Sequence, residues 1–339
     1  MGRTKNKYDY LVSREIIVNS KYDAITAPAI DYRGDRGGTD LTFQWSCLTT
    51  PFNMDQEPEV SDRDRFFMFA STNIDDPMDF QADVEMYLGD KAEKQSFSQP
   101  VFAYVPAGMR LGEIKITRVD SPISCWQYNL HAKYTENWVS ENLADHVAKA
   151  FPGGMGGGVI AEDFQEMQGN PELDQMVKVY EKGGVPFRDI KILSTPNLSA
   201  WSYPLGIKAK LVTGYFVISN RDFCSYEPFH YHTKWDEWLL FLGSNPLNVE
   251  EFDAEIEMFW GPEHEKQVID STCVAHVPVG LIHLGQEHRR IGTPILESIT
   301  VAGTGDYFME VEKVVTSDFS KGEPRISVGA PDWPPLNER

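Results

Sequence analysis

The sequence predicts a mainly all-β protein, built as two tandem antiparallel β-barrels or jelly rolls joined by a helical connector. Three observations predict it. The chain repeats itself at a fixed offset, the repeated segments alternate apolar and polar residues, and the stretch between them has helical spacing.

The repeat is direct. DRFFMFASTNIDDPMDFQADVEMYLGDKAEKQ (64–95) lies without a gap over DEWLLFLGSNPLNVEEFDAEIEMFWGPEHEKQ (236–267), an offset of 236 − 64 = 172. AYVPAGMRLG (103–112) continues over AHVPVGLIHL (275–284), and SPI (121–123) over TPI (293–295). Of the 60 pairs from 64/236 to 123/295, 18 are identical, where ordinary residue usage gives about one in seventeen. The domain is duplicated.

Within the repeats, FQWSCLTT (43–50) and GYFVISN (214–220) carry the aromatic and β-branched residues that suit a pleated sheet. In FDAEIEMFW (252–260), Phe252, Ala254, Ile256 and Met258 alternate with charged residues, the period of a strand with one wet face. Gly261-Pro262 ends it. WLLFL (238–242) is apolar on both faces, as a strand inside a two-layer β fold must be. Between the repeats, TENWVSENLADHVAKAF (135–151) and NPELDQMVKVYEKGG (170–184) have helical spacing, with Thr135 or Ser140 as cap and glycine pairs as stops. The expected organisation is a first β domain at 20–133, a connector at 134–184, a second β domain at 185–315 and a Pro-rich tail at 316–339.

The chain has 339 residues, 41% hydrophobic and 12% aromatic, enough for sizeable cores. Its net charge of −20 opposes a nucleic-acid or anionic-membrane surface. No apolar run approaches a membrane span, and MGRTKNKYDYLVSREIIV lacks the apolar centre of a signal peptide. Cys47, Cys125, Cys224 and Cys273 are scattered without a CxxC pair, which suits reduced thiols in a cytoplasmic protein.

The chemistry-bearing stretch is FHYHTKWDEW (229–238). On a strand, His230 and His232 share a face. Glu237 has odd parity to them, so the chain must turn at Thr233-Lys234-Trp235 for its carboxylate to join them. His283 follows VPVGLI, where Pro278 and Gly280 mark a tight turn. Three imidazoles and a carboxylate suit Fe(II), Mn(II), Ni(II) or Zn(II).

His-x-His, four residues, Glu, and later Pro-x-Gly-x-x-His together resemble the two motifs of the cupin superfamily, and the duplication resembles a bicupin. The resemblance implies that His230, His232, Glu237 and His283 bind one divalent metal, Fe(II) first and Mn(II), Ni(II) or Zn(II) as alternatives. It also implies a homo-oligomer, a dimer. Cys224 stands where the first motif opens with glycine, and its closing Gly243 comes one residue early. Thr272 and Glu287 replace the glycine and asparagine that bound the second. At the repeat offset, His230, His232, Glu237 and His283 fall on Pro58, Val60, Arg65 and Leu111. The first copy therefore reads as a metal-free structural barrel.

The expected activity is metal-dependent dioxygenation of a small organic acid or phenol, with Glu237 as ligand or proton acceptor. The alternative is a non-oxidative isomerase, decarboxylase or lyase of a small carboxylate or sugar. A third reading is a metabolite-binding protein without activity. Trp235 and Lys234, and more weakly Trp201, Tyr203 and Lys208, are the substrate-contact candidates.

Several residues have blander readings. Asp236 could replace Glu237, but it pairs with Asp64 across the repeat, which points to a shared structural role. His276 pairs with Tyr104 and reads as a packing position; His264 reads as solvated. GQEHRR (285–290) could place Glu287, His288 or Arg290 at the site mouth but reads by default as a surface turn, and PGGMGGG (152–158) reads as a hinge or lid.

Overall fold

The strands form where the apolar periodicity places them, and the duplication sets their order. In Ala82–Leu88 and Ala254–Trp260 the alternate residues Ala82, Val84, Met86, Leu88 and Ala254, Ile256, Met258, Trp260 are buried. These two strands, Glu93–Phe97 with Glu265–Ile269, and Val101–Val105 with Cys273–Val277 are each displaced by 172 residues at both ends. The computed structural model describes residues 7–34, 41–54, 58–76, 79–105, 107–130, 159–160, 197–201, 211–219, 229–230, 235–261, 265–283, 286–303 and 314–315.

Each unit has one large and one small antiparallel sheet. The first unit's seven-stranded sheet runs Val159–Ile160, Val101–Val105, Asp64–Ser71, Ile123–Leu130, Leu41–Leu48, Pro28–Arg33, Ile17–Asn19. The second unit's six-stranded sheet runs Val12–Ser13, Cys273–Val277, Trp235–Gly243, Ile295–Gly303, Leu211–Ile218, Asn197–Trp201, the same order strand for strand. A five-stranded sheet around Arg110–Val119, a three-stranded sheet of Ala254–Trp260, Glu265–Ile269 and Glu287–Ile291, and a two-stranded sheet of Phe229–His230 and Val314–Val315 are the remaining sheets among the described residues. The predicted mainly all-β architecture of two tandem antiparallel units is what the described residues form. The only helix among the described residues is the short 3-10 turn Asp9–Leu11. The predicted connector helices and the 152–158 hinge lie outside the described residues. No helix among those described is long and apolar enough to cross a membrane.

The large sheets pack against each other. One apolar cluster joins Trp45, Phe66, Met68 and Trp126 of the first unit to Leu211, Trp238, Leu240, Val274 and Ala302 of the second. A buried hydroxyl ladder crosses the same seam: Tyr128 Oη lies 2.8 Å from Thr213 Oγ1, which lies 2.8 Å from Thr300 Oγ1. Burial pushes the Tyr128 hydroxyl up to about 12, so it stays protonated and able to donate. The opposite face of the second large sheet supplies Ile218, Leu239, Phe241, Cys273, Ala275, Val277 and Ile295 to a separate core inside the second barrel.

Residues 7–14, ahead of the predicted first domain, belong to that second barrel. Val12 pairs with Ala275, Tyr8 packs on Trp260 at 6.0 Å between ring centres, and Arg14 Nη2 donates to the Val268 carbonyl at 3.1 Å. The equivalent edge of the first barrel is covered by Val159–Ile160.

Two devices recur in both copies. Gly108 and Gly280 adopt φ of 83° and 81° in the turn that ends each Pro-x-Gly segment, a region L side chains rarely enter. Just before each, a buried aspartate accepts a turn amide: Ala107 N–H on Asp64 Oδ1 at 2.9 Å, Val279 N–H on Asp236 Oδ1 at 3.1 Å. Asp64→Ala and Asp236→Ala are each expected to lower stability by about 1–3 kcal/mol in urea unfolding, because a part-buried N–H loses its acceptor. Cys47, Cys125 and Cys273 are free and buried.

Candidate metal centre

Trp235–Gly243 lies at the middle of the second large sheet, between Cys273–Val277 and Ile295–Gly303. Glu237 stands opposite Val277 on one side and Val301 on the other. Its face is that of Leu239 and Phe241, which enter the second barrel's core, so its carboxylate points inward. Asp236 takes the other face. There it accepts the Val279 amide and lies 3.3 Å from His276 Nε2, while the His276 ring stacks on Trp238 with 5.1 Å between centres. Asp236 and His276 thus belong to the seam between the barrels, and Glu237 is the carboxylate inside.

The turn after Val277 returns the chain to the same interior. Leu281 N–H donates to the Pro278 carbonyl at 3.0 Å, and Gly280 supplies the left-handed residue. His283 follows, fully buried. Its Nδ1 lies 2.9 Å from the Leu281 carbonyl oxygen, and its Nε2 lies 2.6 Å from Glu237 Oε2. A carbonyl can only accept, so Nδ1 carries a proton and Nε2 is the ring nitrogen that faces the carboxylate. Two electron-rich atoms at that separation need a positive charge between them, either a proton on Nε2 or a cation. This backbone contact is the kind that orients a metal-binding imidazole. The described residues bring two potential metal donors together here, one imidazole and one carboxylate, and hold no group of three or more.

The structure brings Glu237 and His283 together. His230 lies on Phe229–His230, a two-residue strand with His230 opposite Val314. Trp235 opens the Glu237 strand opposite Gly303. Trp201 stands opposite Val212, which stands opposite Val301, so Trp201 holds a register position in the row of Glu237. His232, Lys234, Tyr203, Lys208, Cys224 and His264 lie outside the described residues.

Two interior residues, Gln286 and Glu297, escaped the sequence reading, and a third, His288, was read by default as part of a surface turn. Residues 287–291 form a strand, so 285–290 is not a surface turn as expected. His288 stands opposite the core residue Ile256 and is buried. Buried Gln286 donates from Nε2 to Glu297 Oε1 at 2.5 Å, and Glu297 shares the inward face of Val301. The repeat held the signal. At the offset of 172, Gln286, His288 and Glu297 fall on Ile114, Ile116 and Cys125, which are buried in the first barrel. Arg290 forms an ion pair with Asp253.

No protein-family model matches the chain, and no curated protein matches it. Among solved structures it is similar in fold to oxalate decarboxylase of Bacillus subtilis. One structure of that enzyme gives a TM-score of 0.49 at 11% identity, covering 91% of this chain and 78% of the other. Two variants of the enzyme give 0.48 at 11% and 0.49 at 10% identity, each covering 91% and 79%. A likeness of that size says nothing about activity.

Proposed function

We propose that the second barrel holds one divalent transition ion on His230, His232, Glu237 and His283, and that the protein is a metal-dependent enzyme of small organic acids. The observation that carries this reading is the buried approach of His283 Nε2 to Glu237 Oε2, at positions where the metal-free copy has Leu111 and Arg65. A barrel core does not need those two residues to fold, as the first copy demonstrates.

When bound, the ion supplies Lewis-acid polarisation of a substrate oxygen or, as Fe(II), a site for O2 chemistry. The protein's own part is positional. The Leu281 carbonyl fixes the His283 ring. Val277, Leu281 and Val301 exclude water around the pair, which strengthens electrostatic interaction there. Glu237 serves either as the fourth ligand or, unligated, as the group that takes up or returns a substrate proton.

The test is metal analysis followed by turnover. Protein purified without added metal is expected to retain about one transition ion per chain, or to bind one on addition. Retention of none, with none bound on addition, overturns the centre. Dioxygenation and non-oxidative cleavage share this ligand set, and stoichiometric oxygen uptake against anaerobic turnover on small keto and phenolic acids separates them.

A further inference from the structure

The first barrel lacks histidine ligands, yet its interior is not a plain apolar core. Arg65 occupies the position of Glu237, and its side chain is only 5% exposed. Its Nη1 pairs with Glu59, whose side chain is 57% exposed at the rim. Its Nε and Nη2 are buried without a hydrogen-bond partner among the described residues. These two atoms form one edge of the guanidinium, a pair of parallel donors spaced for the two oxygens of a carboxylate.

The surroundings are polar in adjoining rows. Arg65 stands opposite Asn129, which stands opposite Thr42. In the next row Gln127 stands opposite Gln44, which stands opposite Asp31. Lys21 Nζ donates to Gln44 Oε1 at 2.8 Å, and the Gln127 amide donates to the Tyr22 hydroxyl at 3.1 Å. Lys21 acts electrostatically on Cys125, Asp31 and Glu59, so it belongs to the same cluster. Burial pulls both the Arg65 guanidinium and the Lys21 amine below their ordinary pKa ranges.

A buried guanidinium edge with nothing to donate to is unfavourable. Leu111 shows what this barrel uses where only packing is required. We propose that the first barrel is a binding site for a small carboxylate, which lies on the Nε/Nη2 edge of Arg65 with the Lys21 amine nearby. The duplication then separated two chemistries on one scaffold, a metal centre in one copy and an anion site in the other.

The test is isothermal calorimetry on the full-length His283→Ala protein, which lacks the second barrel's proposed centre. Acetate, oxalate, malate and gluconate are titrated, with inorganic phosphate and glucose as controls. At least one carboxylate is expected to bind once per chain, and Arg65→Leu is expected to weaken it by about tenfold or more. Should Arg65→Leu fail to fold, Lys21→Met must weaken the same binding several-fold. Absence of binding by every carboxylate, binding indifferent to the substitution, or equal affinity for phosphate or glucose overturns the proposal. Because the probe protein lacks His283, failure here leaves the metal reading untouched, and the reverse holds too.

Discussion

His283→Ala is expected to abolish metal retention, from about one ion per chain to none, and to lower turnover by at least about a hundredfold. Nε2 of this residue lies 2.6 Å from the Glu237 carboxylate. The matched control is Leu111→Ala, at the same position of the first copy. Leu111 is fully buried, so its truncation should cost about 2–5 kcal/mol of stability through the cavity it leaves. It should leave metal content per folded chain unchanged. His283→Leu completes the comparison by installing the first barrel's own residue in the second. That variant is expected to fold and to bind no metal, measured by elemental analysis beside urea unfolding. Metal retained in both His283 variants would remove this residue from the centre.

The barrels were legible in the sequence because duplication leaves two records of one set of constraints. Phe252, Ala254, Ile256 and Met258 carry the strand period openly, and their first-copy equivalents share it. Glu237 and His283 were legible for the opposite reason, as polar residues where the other record has Arg65 and Leu111. Gln286 and His288 were hidden by local composition. A run of polar residues after glycine reads as a turn, and the ladder with Ala254–Trp260 has an irregularity between Glu255 and Ile256 that breaks simple parity there. Arg65 was read only as a missing ligand, because sequence shows its identity but not that its guanidinium edge is buried. The lacing of the units was beyond local reading. Lys7 donates its backbone N–H to Glu265 and Val12 pairs with Ala275, contacts that no short-range pattern encodes.

Trp238→Ala is expected to cost about 3–5 kcal/mol without changing metal content per folded chain. Trp238 is 1% exposed, stacks on His276, and stands between His276 and Thr300 in the ladder. It follows Glu237 directly, so strand alternation turns it to the opposite face, into the cluster shared with the first barrel. Neighbours in sequence therefore serve different tasks: Glu237 faces chemistry, and Trp238 faces the seam. Truncation empties part of that seam beside the Tyr128–Thr213–Thr300 hydroxyls, whose protein partners lie on both units. Both barrels should lose stability together and unfold in one transition at a lower urea midpoint. Tryptophan fluorescence from the first barrel's buried Trp45 and Trp126 reports whether it follows. Metal loss at unchanged stability would contradict the assignment of faces. Destabilisation confined to the second barrel would contradict the shared core, because Trp45 and Trp126 pack within the same cluster as Trp238.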